Sequence, residues 1–142
     1  MTAACVVTVG VSLLLYLAAA AIGQARLLFP GSRFEPWSRR LLVAGWAVQA
    51  AGMALHFVFS GRSPLASMLE LVSLLVLGLV GLALLAELLL GARHAAHSVA
   101  PVAFLALLYP LLMPVRFADA QHVLLRYPWL GVHVLFSLLG YL

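Results

Sequence analysis

The sequence predicts an all-α, polytopic integral membrane protein with about five transmembrane helices, and three observations carry that prediction. First, 65% of its 142 residues are hydrophobic and only 8% are charged, whereas an average soluble protein is roughly half apolar and a quarter charged. Second, the apolar residues fall into long runs separated by the places where Arg, Pro and acidic residues gather. Third, polar and apolar residues do not alternate strictly within those runs, which argues against a barrel. Lipid offers the backbone no hydrogen-bond partners, so each run must satisfy its own amides as a helix.

The first run, residues 5–22, has no basic residue ahead of its apolar core. The n-region of a signal peptide is therefore missing, and despite AxA-like triplets the run is read as a retained span. The second and third runs, residues 41–59 and 65–90, provide the roughly 20 residues that cross hydrocarbon as a helix. Pro64 after Ser63 and Pro101 after Ser98 suit first-turn positions, where a missing amide proton costs nothing. The fourth run, residues 99–115, contains Pro110, which with Pro114 should kink the helix and end it before Arg116. The fifth, residues 127–142, reaches roughly 24 Å against a core of about 30 Å. It closes on Gly140, Tyr141 and Leu142 with no polar flank, and a carboxylate buried in lipid would be costly. The expectation is a single transmembrane domain over residues 1–142, forming the N-terminal part of a longer protein.

All basic residues are Arg, and they are scattered at the ends of the runs. That distribution offers no patch to follow phosphates, which sets nucleic acid aside. Cys5 stands alone, excluding an intrachain disulfide and a cysteine-based metal site. The first and third loops carry Arg26, Arg33, Arg39, Arg40 and Arg93, and the second and fourth carry Arg62, Arg116 and Arg126. The positive-inside rule then places the first and third loops in the cytoplasm and the N-terminus outside. Trp37, Trp46, Tyr127 and Trp129 are expected at segment ends as interfacial anchors.

Two histidines, His56 and His133, fall inside spans, where an ionisable residue is costly and marks a candidate site. Gly45, Gln49, Gly52 and His56 recur at spacings of 4, 3 and 4, so they share one helix face. Its glycines allow close approach of a flat body or a neighbouring backbone, and Gln49 can hydrogen-bond within the bundle. His133, Ser137 and Tyr141 form a second stripe with Gly140 beside it. In the orientation above, both histidines lie roughly 6 to 8 Å below the outer surface. Neutral imidazoles at matched depth suit axial ligation of a haem iron, with the macrocycle filling the apolar gap between helices. The alternative is that each histidine makes an interhelical hydrogen bond; the matched depth favours ligation.

Other polar residues admit simpler readings. Glu70 in Ser67-Met68-Leu69-Glu70 fits a capping box at the start of the third helix, with partnership to His56 as the functional alternative. Glu87, with Arg93 beyond it, is expected to snorkel to the interface. His94 and His97 are expected in a short loop, where two imidazoles without a third ligand make a weak metal signal. His122, with Asp119 and Arg126, occupies the outer loop and faces either water or a haem propionate. No Ser-His-Asp order, phosphate loop or carboxylate pair suggests a hydrolase or an ATPase.

The stretch Gly52-Met53-Ala54-Leu55-His56, then Gly61-Arg62-Ser63-Pro64-Leu65 and Glu70-Leu71-Val72-Ser73-Leu74, resembles the cytochrome c assembly proteins that handle haem in bacterial and plastid membranes. Pro128-Trp129-Leu130-Gly131-Val132-His133-Val134 through Ser137-Leu138-Leu139-Gly140-Tyr141 is similar to a helix opening of the same family, and the order of the two blocks agrees. The resemblance implies a protein of about eight helices in a bacterial inner membrane that binds haem b and assists cytochrome c maturation. It makes His56 the counterpart of the family's transmembrane haem histidine and His133 that of its first external-face histidine, positions that in the best-known members serve different haems. The family's tryptophan-rich external motif, which would normally lie beyond residue 142, is absent here; the short spacing and lack of other elaboration favour the simpler HemX-like or YpjD-like branch, which lacks that motif, and an accessory role over an enzymatic one. Two rivals remain. One is a cofactor-free accessory subunit packing on a larger respiratory or photosynthetic complex through its small-residue faces. The other is a transporter half, for which Pro110 is the main sign.

Overall fold

The structure is a computed structural model that describes residues 3–28, 35–60, 68–91 and 95–112. These residues form four helices: α1 (Ala3–Leu28), α2 (Glu35–Ser60), α3 (Met68–Leu90) and α4 (Ala95–Leu112). Three stretches within them, Val6–Ala25, Pro36–Phe59 and Leu69–Leu90, are long and apolar enough to cross a membrane. The apolar part of α4, Ser98–Tyr109, is shorter. The fifth expected run, residues 127–142, lies outside the described residues, as do Pro64, Pro114, Asp119, His122 and Arg126.

Helices α1 and α2 extend past their apolar runs at both ends, and α4 begins ahead of its run, because hydropathy registers only their lipid-compatible middles. Gln, Arg and Leu are good helix formers, so α1 continues through Gln24 and Arg26 to Leu28. At the start of α2, Pro36 occupies the first turn, where its missing N–H is no loss. Pro101 departs from expectation. Helix α4 already begins at Ala95, so Pro101 falls in the second turn, where an N–H would have bonded back along the helix. His97 likewise belongs to α4 rather than to a loop. At the end of α3, Gly91 adopts φ 64°, the left-handed residue that commonly stops a helix.

The core is drawn from all four helices: Val9, Leu13 and Tyr16 of α1, Leu42 of α2, Val76 and Val80 of α3, and Ala103 and Leu107 of α4. Helix α1 packs on α2 and α4, while α3 packs on α4 and α2. Large apolar side chains also cover the outside, among them Leu14, Leu55, Val58, Leu88 and Leu105. An aqueous protein rarely exposes so continuous an apolar surface, whereas lipid solvates it. Helices in lipid gain little from apolar burial and associate through close packing and interhelical hydrogen bonds. The interior follows that rule, with Ala19, Ala20, Ala100 and Ala103 buried among the larger residues.

Candidate functional site at the α1–α2–α3 seam

The polar residues of α2 line up on its inner face, and each meets a partner on another helix. Gly45, Gln49, Gly52 and His56 are all buried. At Gly45 an added Cβ would lie 2.8 Å from Tyr16 Cε1 of α1, and at Gly52 it would overlap Thr8. Both glycines therefore admit α1 at close range, and α1 fills the groove that they leave in α2. Gln49 sits between them and joins three helices. Its Oε1 accepts from the Tyr16 hydroxyl at 2.7 Å, and its Nε2 donates to the Ser73 carbonyl of α3 at 2.8 Å. Nearer the start of α2, Ser38 Oγ donates to the Ala19 carbonyl at 2.8 Å.

At the other end of this seam, His56 Nε2 lies 2.7 Å from Glu70 Oε1, and the two residues are each 5% exposed. The seam brings them together for a simple reason. His56 stands one turn before the end of α2 and Glu70 is the third residue of α3, so the short connection returns the chain with both side chains at one level. Glu70 thus takes up the partnership with His56 and not a purely local cap. A buried carboxylate and imidazole at this distance share a proton as an ion pair or as a neutral hydrogen bond, and either form leaves the pair neutral overall. The Phe57 ring stands 6.0 Å from the imidazole by centroids.

Haem iron held by histidine needs a free imidazole nitrogen and a flat apolar cleft. The donor chemistry of His56 fits, and a carboxylate on one ring nitrogen is the arrangement that orients ligating histidines. Nε2 is the nitrogen engaged, so iron on this ring would use the other. The glycine face is not the cleft, since Tyr16 and Thr8 stand in it. Among the described residues no group of three or more His, Cys, Asp or Glu residues could hold a metal ion. His133 and Ser137 lie outside the described residues.

Glu87 also differs from its expected place. It does not snorkel away from the protein: its side chain is 7% exposed, and its Oε2 lies 3.5 Å from Arg39 Nε of α2. Burial next to a cation is cheaper than burial alone. Trp46 is no terminal anchor either. It lies in the middle of α2 and donates Nε1 to the Leu77 carbonyl at 2.9 Å. Trp37 is exposed at the start of α2 with the Arg40 guanidinium 5.5 Å from its ring centroid, a cation–π contact. Sequence reasoning missed Tyr16, which is fully buried. The available signal was a lone hydroxyl-bearing aromatic in the middle of an apolar helix, where Tyr needs a partner.

No protein-family model, curated protein or solved structure matches the chain.

Proposed function

We propose that the chain is a polytopic membrane protein of the cytochrome c assembly type, which binds haem b and assists haem handling or cytochrome c maturation, with His56 and His133 as iron ligands. The observation that carries this reading is the His56–Glu70 pair, buried among apolar helices at 2.7 Å. Two ionisable groups in such a place are costly, which marks the pair as functional. A histidine already fixed by a carboxylate is prepared as a ligand. In this reading Glu70 orients the imidazole, while Gln49 keeps α1, α2 and α3 in the register that holds His56 at the level of Glu70. Bound haem would supply an iron centre for one-electron chemistry or serve as cargo for transfer. The arginine distribution supports an orientation with the N-terminus outside, and the resemblance implies a bacterial inner membrane and contact with other maturation components. The full protein, purified in detergent and reduced with dithionite, is expected to show a Soret band and split low-spin features.

A second reading has its own observation. The glycine face of α2 is consumed inside the chain by Tyr16 and Thr8, as in a cofactor-free accessory subunit whose polar residues are interhelical fastenings. A colourless preparation that stays bound to partner subunits of a larger complex supports this reading over the first.

A further inference from the structure

At the Arg39 end, α2 and α3 are held apart by two struts. One is the Arg39–Glu87 ion pair. The other is the Trp46 indole, which reaches the Leu77 carbonyl and stands against Gly81, where an added Cβ would lie 3.1 Å from Trp46 Nε1. Between the struts runs a groove of about 270 Å³, walled by Val43 and Trp46 of α2 and by Gly81, Leu84 and Leu88 of α3, with Arg39 at its mouth. From Arg39 to Trp46 it spans two helical turns, roughly 10 Å. The walls are apolar, and the mouth is positively charged on its accessible side: the Arg39 side chain is 55% exposed while that of Glu87 is 7% exposed. Arg40, also exposed, stands over the Trp37 ring and does not line the groove.

We propose that this groove holds one anionic phospholipid, with an acyl chain between α2 and α3 and the phosphate on Arg39. Charge and shape select the occupant together. The apolar walls need a hydrocarbon chain, and a guanidinium at interfacial depth binds phosphate through several donors. A zwitterionic lipid presents its own cation beside the phosphate and loses part of that attraction at a mouth that already carries Arg39. The inference stands independently of the haem reading.

The test is native mass spectrometry of the full protein released from nanodiscs of equal parts phosphatidylcholine and phosphatidylglycerol. The wild-type protein is expected to retain one phosphatidylglycerol in preference to phosphatidylcholine by about fivefold or more, the discrimination of one arginine at a membrane surface. In the double variant Arg39→Gln, Glu87→Gln, which removes both charges and leaves neither partner buried alone, that preference should fall to parity. Val43→Phe, at an exposed wall position, should abolish retention by filling the groove while Arg39 remains. Equal retention of the two lipids by the wild type overturns the proposal, and so does undiminished phosphatidylglycerol retention in either variant.

Discussion

His56 and Glu70 depend on each other, since each is buried and each would be left in an apolar interior without the other. Removing one partner exposes the survivor's desolvation penalty, so His56→Ala or Glu70→Ala should each destabilise the protein by about 1–3 kcal/mol. The double variant should lose less than the sum, with a coupling of about 0.5–3 kcal/mol, measured by thermal unfolding of the four proteins in one detergent. Strict additivity would mean that the pair is not an energetic unit. Gln49 is a similar case. The spacing of Gly45, Gln49, Gly52 and His56 made this face legible in the sequence, because a polar stripe on an apolar helix has to meet something. What it meets was legible only in part: Glu70 reads first as a capping pattern, with partnership to His56 as the alternative, since local spacing cannot decide a contact between two helices. Tyr16 was passed over because one hydroxyl does not interrupt an apolar run.

The contact between α1 and α2 is set by glycine. Gly52→Ala would drive a methyl group into Thr8, and overpacking of this kind costs about 1–3 kcal/mol. Gly10 of α1 offers the control, because nothing lies within 4 Å of its would-be Cβ. Gly10→Ala should be neutral or stabilising by up to about 1 kcal/mol through helix propensity. Thermal unfolding of the two variants is expected to separate them clearly; equal effects would mean that α1 and α2 do not meet closely at Gly52. The number and type of the described helices follow from the apolar runs, while their ends do not. Hydropathy is blind to Arg and Gln turns that continue a helix into the interface, which is why α1 and α2 run longer than expected. Pro101 was misplaced by the same blindness, since the start of α4 at Ala95 lies in a polar, histidine-bearing stretch.

Among the described residues, the division between an apolar exterior and a narrow polar seam explains where Glu70 and Glu87 sit. Glu70 and Glu87 are both buried against a partner on α2. These two fastenings lie at opposite ends of the α2–α3 pair, with the amide of Gln49 and the indole of Trp46 between them. Composition alone pointed to the membrane class, and three helices long and apolar enough to cross a membrane agree with it. A function could be proposed only from two candidate histidines, His56 and His133, and a resemblance, since an imidazole on a helix does not reveal its ligand. Haem content per polypeptide decides the matter most directly, measured by pyridine haemochrome assay on the purified wild type, His56→Ala and Gly10→Ala. The expected result is haem in the wild type and in Gly10→Ala, with most of it lost from His56→Ala. No haem in the wild type, or equal haem in all three proteins, would contradict the assignment of His56 as a ligand.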